Sequence, residues 1–223
     1  MLSLQEQINI LEDALIDIEP SAGSDTTEEL CQFLCKMATC YNELAVKKLR
    51  DGDSESALHS LEKAKALLDN PNVPSTRRWL LQAETSTNIS YVYKCLGSPI
   101  TALSYLRKAL IAETRLRKSG LYIGDHDAVS TLLSICAVQS ELGRHSDAAR
   151  SARIALSQLR LKSKLDDTRS PAAWYNLAVE YEHLRDRGKA RHAFSRALDH
   201  ARSILGPDHP LTVTVKLALE EYN

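Results

Sequence analysis

The chain has 223 residues, of which 43% are hydrophobic, and its 28 Lys and Arg nearly balance its 29 Asp and Glu. A chain of this length and apolar content can bury a substantial core, and its 8 Gly and 7 Pro leave little room for disordered linkers. The net charge of −1 gives the whole chain no electrostatic attraction for nucleic acid. No apolar run approaches the roughly 18 residues that a membrane-spanning helix needs.

The cysteines and the first residues predict a cytoplasmic location. The five cysteines include no C-x2-C pair, so neither a disulfide framework nor a zinc finger is expected. Cys31 and Cys35 share a helical face and could hold a metal, but without a second ligand pair the sequence favours buried free thiols. The start of the chain lacks the basic stretch and cleavage site of a secretory signal. We therefore expect a cytoplasmic protein without metal or cofactor.

Residues 1–20 are predicted to form a separate helix. Its apolar residues are spaced alternately four and three positions apart, which is the spacing of a heptad seam. The seam consists of Leu4, Ile8, Leu11, Leu15 and Ile18. Such a helix can cap the helices that follow, or it can pair with a second copy of the chain or with another protein. The sequence leaves both interpretations open.

Residues 26–223 are predicted to be an array of paired helices. A small residue opens the second helix of each pair, and these residues lie 45, 46 and 42 positions apart. They are Ala57, Ala102, Ala148 and Ala190. Each is followed four and seven positions later by an apolar or small residue, as one packed helix face requires. The predicted repeats span approximately residues 36–70, 75–120, 126–165 and 171–205, with a final helix at 210–222.

Glycines mark the turn inside three of the four pairs. Gly52, Gly97 and Gly143 stand five residues before the first three alanines, where a positive φ is expected. The equivalent position of the fourth pair is Arg185, and Gly188 comes later. The fourth turn is therefore expected to close differently.

The fourth pair has the most regular spacing, W-x2-L-A-x2-Y followed by A-x3-F-x2-A. Its small residues allow two helices to approach closely while its large residues fill the adjacent space. The residues are Trp174, Leu177, Ala178, Tyr181, Ala190, Phe194 and Ala197. This pattern resembles the consensus of the tetratricopeptide repeat (TPR) superfamily. The resemblance implies an all-α fold, a right-handed α-α superhelix of about four helical hairpins with additional N-terminal and C-terminal helices.

The repeats are longer than ordinary TPRs, which have a period of about 34 residues. Residues 124–129 and 205–212 are similar to the L-G-x-D-H-P connection of kinesin-light-chain-type repeats. His126 and His209 lie in these connections and are predicted to cap or position a helix start. The resemblance implies kinesin-light-chain-like long repeats and adds association with the cytoskeleton to the expected locations.

The resemblance also implies a concave groove lined by the first helix of each pair. Groove residues are expected one, two and five positions after the Trp-like site, with further contacts near the helix ends. The predicted peptide-binding residues are Asn42, Arg50, Asn88, Tyr91, Lys94, Ser134, Tyr175 and Asn176. Asn88 and Asn176 occupy the same repeat position, where an amide can both donate to and accept from a peptide backbone. The alternative is that these amides only bond neighbouring helices.

Charge is unevenly distributed along the chain. Residues 1–35 contain eight acidic side chains and no Lys or Arg, whereas residues 101–164 contain eleven basic and five acidic ones. Such imbalance is typical of solvated helix surface. It is also compatible with an acidic ligand on the middle repeats or with head-to-tail contact between molecules.

The sequence contains no motif that indicates catalysis. It has no Gly-rich phosphate loop, no H-E-x-x-H and no G-x-S-x-G, and its histidines lack a ligand spacing. We predict a non-catalytic adaptor or scaffold that binds a peptide or helix of a partner protein, with neither nucleic acid nor membrane as partner. The alternative is a structural subunit of a cytoskeletal or other large assembly that self-associates through the N-terminal helix.

Overall fold

A computed structural model describes residues 3–17, 24–120, 128–161 and 167–222. These residues form ten helices and no strand, which confirms the predicted all-α class. The helices are α1 (Leu4–Asp17), α2 (Ser24–Arg50), α3 (Ser54–Leu68), α4 (Ser75–Cys95), α5 (Pro99–Lys118), α6 (Val129–Glu141), α7 (His145–Leu161), α8 (Ser170–His183), α9 (Arg187–Ile204) and α10 (Pro210–Glu220). Among the described residues, no helix is both long and apolar enough to cross a membrane.

The chain divides into two compact units, Met1–His126 and Asp127–Asn223. In the first unit α2 pairs with α3 and α4 with α5, and α1 packs on α2. In the second unit α6 pairs with α7 and α8 with α9, and α10 packs on α9. The prediction of four helical hairpins with additional terminal helices is thus confirmed for the described residues.

The small residues that open the second helices allow each hairpin to close. Ala57, Ala102, Ala148 and Ala190 have no exposed surface. A larger side chain at any of them would push two helices apart, because protein interiors are packed as densely as organic crystals. Most signature residues of the fourth hairpin are also buried, and Tyr181 alone among them is half-buried. The buried ones are Trp174, Leu177, Ala178, Ala190, Phe194 and Ala197.

The turn of the fourth hairpin has the same geometry as the glycine turns, so the prediction that it closes differently is wrong. Arg185 has a φ of 57°, close to the 68° of Gly97 and Gly143. The N–H of Arg185 donates to the carbonyl of Glu182 at 2.8 Å, as the N–H of Gly97 donates to Lys94 at 3.0 Å. Packing of α8 on α9 requires a left-handed residue at this position whichever side chain it carries.

Side chains cap several helix starts. Asp53 accepts a hydrogen bond from the N–H of Ser56 at the start of α3. His209 accepts one from the N–H of Leu211 at 3.2 Å, which confirms the predicted capping role of His209 at α10. His126 and most of its connection lie outside the described residues.

The seam of α1 packs inside the first unit. Ile8 has no exposed surface and Leu11 is 6% exposed, and both join a core cluster with residues of α2, α3 and α4. Leu4 is half-buried against the same cluster, while Ile18 and the side chain of Leu15 lie outside the described residues. This position agrees with the capping interpretation, because Ile8 and Leu11 are buried by their own chain, while pairing of copies through the seam stays a prediction.

Candidate peptide-binding surfaces

The residues predicted to line one groove fall in two units, on the first helices of the hairpins. In each unit these first helices contact each other, α2 with α4 and α6 with α8. We call the predicted residues of α2 and α4 the first-unit surface; they are Asn42, Arg50, Asn88, Tyr91 and Lys94. We call those of α6 and α8 the second-unit surface; they are Ser134, Tyr175 and Asn176.

Asn42 is an internal residue and not part of a binding surface. Its side chain has no exposed area. Its Nδ2 donates to the carbonyl of Ala38 at 3.0 Å and to the hydroxyl of Thr85 at 2.9 Å. The prediction that Asn42 contacts a peptide is therefore corrected: its amide joins α2 to α4, as buried polar groups must find partners within the protein.

Asn88 is partly committed to the same internal network. Its Nδ2 donates to Oδ1 of Asn42 at 3.2 Å, which is the neighbouring-helix bond that the sequence left open. The remaining residues of the first-unit surface are exposed, and Tyr91 presents 57% of its area. The first-unit surface therefore offers exposed side chains around an amide that already supports the fold.

Asn176 occupies the same repeat position as Asn88 but has a different environment. It is half-buried on α8, and within the described part of the chain no group forms a hydrogen bond with its amide. The reason lies in the preceding first helix, where the position equivalent to Asn42 is Leu133. A leucine can neither donate nor accept, so the Asn176 amide remains available.

Aromatic packing holds the backbone beside Asn176. The ring of Tyr175 lies 6.0 Å from that of Phe194 of α9, and Phe194 lies 5.8 Å from Tyr222 at the end of α10. The Tyr222 hydroxyl donates to Glu182 at 2.6 Å, which ties the last helix to α8. Ser134 is exposed on the adjacent α6. The second-unit surface thus combines an available amide with a fixed aromatic neighbour.

A buried acid lies one turn after Asn176 on α8, and sequence reasoning missed it. Glu180 is 2% exposed and lies 2.9 Å from Nδ1 of His145 at the start of α7. Burial, followed by the nearby charge of Glu180, raises the pKa of the Cys136 thiol to about 12. The sequence places Glu180 within a largely apolar helix. A polar residue in such a helix does not by itself show which residue it will contact.

The described cysteines are free thiols. Cys31 is buried and accepts a hydrogen bond from the guanidinium of Arg77 at 3.2 Å. Burial, followed by the neighbouring Cys31, raises the pKa of Cys35 to about 11. Across residues 3–17, 24–120, 128–161 and 167–222, no three His, Cys, Asp or Glu side chains are placed to hold a metal ion.

The chain is similar in structure to repeat proteins of known fold. BtubC (BKLC) of P. vanneervenii has a TM-score of 0.72 and 14% identity, with 100% of this chain and 84% of that chain covered. A kinesin light chain of Podosopora anserina with nearly identical TPR-like repeats has a TM-score of 0.64 and 14% identity, with coverage of 85% and 86%. YrrB, a TPR protein with an unusual peptide-binding site, has a TM-score of 0.55 and 19% identity, with coverage of 96% and 87%.

These similarities define the class of protein by its fold. No protein-family model and no curated protein matches the sequence. The chain has the tetratricopeptide-repeat fold, built from long repeats like those of kinesin light chains. At these identities the likeness concerns the fold, and function has to be argued from the surfaces.

Proposed function

We propose that this protein is a non-catalytic adaptor that binds an extended peptide segment of a partner protein, with the second-unit surface as the principal contact. The observation that carries this proposal is the half-buried amide of Asn176, which has no hydrogen-bond partner among the described residues. Neither polar atom of this amide is among the described buried atoms that lack a partner, so the amide reaches solvent and a bound peptide would replace water there without breaking a bond within the protein. A peptide backbone would supply both the donor and the acceptor that one Asn amide needs.

The neighbours of Asn176 suit this kind of ligand. Tyr175 offers a large, rigid side chain, and interfaces are enriched in tyrosine because it contributes area at low entropic cost. Ser134 on α6 adds a small hydroxyl that does not obstruct a chain lying along the surface. The peptide-binding site of YrrB supports the proposal that a protein of this fold serves such a role.

Selection of short random peptides displayed on phage, using the full chain as bait, provides ligands for the test. We expect Asn176→Ala to weaken binding of the selected peptides about tenfold, since two hydrogen bonds contribute roughly 0.5–1.5 kcal/mol each. Asn9→Ala removes an exposed amide from α1 and is the matched control, with unchanged affinity expected. Isothermal titration calorimetry measures both dissociation constants.

The melting temperature separates binding from folding in this test. Asn176→Ala breaks no hydrogen bond of the described structure, so its melting temperature should equal that of the wild type. Asn88→Ala should melt earlier, because it leaves the buried Oδ1 of Asn42 without a donor at a cost of about 1–3 kcal/mol. Equal peptide affinities for the wild type and Asn176→Ala would remove the second-unit surface as the binding site.

A further inference from the structure

A pocket of about 250 Å³ lies in the first unit between α3, α4 and α5, and we call it the first-unit pocket. Its volume is that of roughly eight molecules of liquid water, which suits a ligand of about eight to ten non-hydrogen atoms. The second unit has a pocket of about 390 Å³ between α7, α8 and α9, the equivalent helices of its hairpins. Because binding sites bury most of the surface of their ligands, a ligand this small fits the first-unit pocket better.

The floor of the first-unit pocket is apolar and comes from all three helices. Leu68 of α3 and Ile89 of α4 are each 1% exposed, and Ala112 of α5 is 4% exposed. The ring of Tyr105 also lines the pocket and stacks on Tyr93 at 5.7 Å, which fixes this wall. A short aliphatic chain on this floor would leave water without any need to move the helices.

The rim of the first-unit pocket is basic. Lys65 of α3 and Lys108 and Arg115 of α5 line it with exposed side chains. In the part of the chain that the structure describes, none of the three forms an ion pair with a carboxylate. Asp69 is the single carboxylate among the described lining residues, so the rim has an excess of two positive charges.

The cations stand next to the apolar floor. The Lys108 ammonium lies 4.3 Å from the centre of the Tyr105 ring, and Arg115 follows Ala112 within one turn of α5. A ring face attracts a cation without using its N–H donors, so the Lys108 ammonium can still donate to an anion. The guanidinium of Arg115 has the fork of donors that matches a carboxylate.

We infer that the first-unit pocket binds a small amphipathic carboxylate, with an aliphatic chain of about six to eight carbons on the apolar floor and the carboxylate among the three cations of the rim. A neutral chain would leave the positive charges of the rim without a counterion. A carboxylate without a chain would leave the floor in contact with water. This site and the second-unit surface lie in different units, so each inference can fail without the other.

The probe for this site is sodium octanoate, titrated into the full chain and followed through the methyl signals of the protein in ¹H–¹³C NMR spectra. We expect saturable shifts of the Leu68 and Ile89 methyl groups, because both residues form the floor. The compound 1-octanol has the same chain without the charge, and acetate has the charge without the chain. Each should bind at least tenfold more weakly than octanoate.

Charge removal tests the rim. Lys65→Gln combined with Lys108→Gln should weaken octanoate binding at least tenfold, and both lysines are exposed, so the fold should be unaffected. Arg153→Gln combined with Arg160→Gln is the matched control, because it removes the same charge from the pocket of the second unit. This control should keep the wild-type affinity.

Ser86 provides a test that changes no charge. It lines the first-unit pocket two residues before Asn88, and Trp174 stands two residues before Asn176, so the repeat accommodates an indole at this position. Ser86→Trp should therefore narrow the pocket and weaken octanoate binding at least tenfold. Ser104→Trp, at an exposed position of α5, should bind as the wild type does. If Ser86→Trp lacks a cooperative melting transition, the lysine double variant decides.

Four results would each overturn the inference. They are absence of saturable shifts in the wild type, equal affinities for octanoate and 1-octanol, a loss in the arginine double variant as large as in the lysine double variant, and wild-type affinity in a folded Ser86→Trp variant. Asn176→Ala should bind octanoate with wild-type affinity. A tenfold loss there would also overturn the inference, since it would place octanoate on the second-unit surface.

Discussion

Arg185 occupies a backbone conformation that ordinarily belongs to glycine. Its φ of 57° places it in the left-handed region, which costs a residue with a Cβ about 1–2 kcal/mol. Glycine lowers this cost but gains more freedom in the unfolded chain, so the two effects partly cancel. We expect Arg185→Gly to raise the free energy of unfolding by about 0.5–1 kcal/mol, measured by urea denaturation.

The converse substitution is available in the third hairpin. Gly143 has a φ of 68° in the equivalent turn, and a Cβ there would meet no atom within 4 Å. Gly143→Ala therefore tests the backbone alone and should lower the free energy of unfolding by about 1 kcal/mol. If Arg185→Gly were less stable than the wild type, the conformational argument would be contradicted.

His200 makes stability depend on pH in the second unit. Its Nε2 lies 3.4 Å from the guanidinium of Arg196, which can only donate, so Nε2 accepts and Nδ1–H donates to the Ser170 hydroxyl at 3.0 Å. Burial is the main cause that lowers the pKa of His200, followed by the positive charge of Arg196. Arg160 also lowers the pKa, and Asp199 opposes the shift.

The direction of the pKa shift gives the sign of the effect. The unfolded chain binds a proton at His200 more readily than the folded chain does. The stability that neutral His200 contributes is therefore complete above about pH 6.5 and is lost as the pH falls. His200→Gln should therefore lose less stability than the wild type between about pH 7.5 and 5. His59→Gln, at an exposed position of α3, is the control. If the melting temperatures of the wild type and of His200→Gln fell by the same amount over this pH range, the assignment would be contradicted.

The asparagines show the limit of predicting the role of a residue from its position in the repeat. Asn88 and Asn176 are equivalent in the repeat, and the sequence gives no reason to treat them differently when each is considered alone. Their difference comes from the preceding first helix, which carries Asn42 in one case and Leu133 in the other. Comparing pairs of positions in successive repeats would have revealed it, whereas single positions could not.

At the scale of the element, α1 acts as a cap on the first hairpin. Ile8 is fully buried and Ile10 is 53% exposed on the same helix, so the pair forms a matched test. We expect Ile8→Ala to cost about 2–5 kcal/mol through the cavity it leaves, and Ile10→Ala to cost less than about 0.5 kcal/mol. Light scattering should give the same molecular mass for both variants and the wild type. A smaller mass for Ile8→Ala would instead support pairing of copies through this seam.

The helices themselves were largely predictable because their boundary signals are local. Glycines mark the turns of three hairpins, and α5 begins at Pro99, a residue that is favoured in the first position of a helix. The fourth turn was misjudged because a packing requirement overrode the preference of Arg185. In α8 the first residue is Ser170, and Pro171 stands in the second position.

At the scale of the whole molecule, sequence reasoning recovered the fold class and the repeat but not the pocket between α7, α8 and α9. The excess of basic residues between 101 and 164 was visible and was compatible with an acidic ligand. Which of them face a common space depends on how α7, α8 and α9 pack together. Side chains from three helices cannot be assigned to one pocket by spacing along a single helix.

The central claim is that the Asn176 amide pairs with the backbone of a bound peptide. Its most direct test is a double-mutant cycle that combines Asn176→Ala with single amide-to-ester replacements along a selected peptide, which remove one N–H donor at a time. For one ester position we predict a severalfold loss of affinity with the wild type and no further loss with Asn176→Ala. If every ester replacement costs the same in both proteins, Asn176 does not bind the peptide backbone and the proposed function is contradicted.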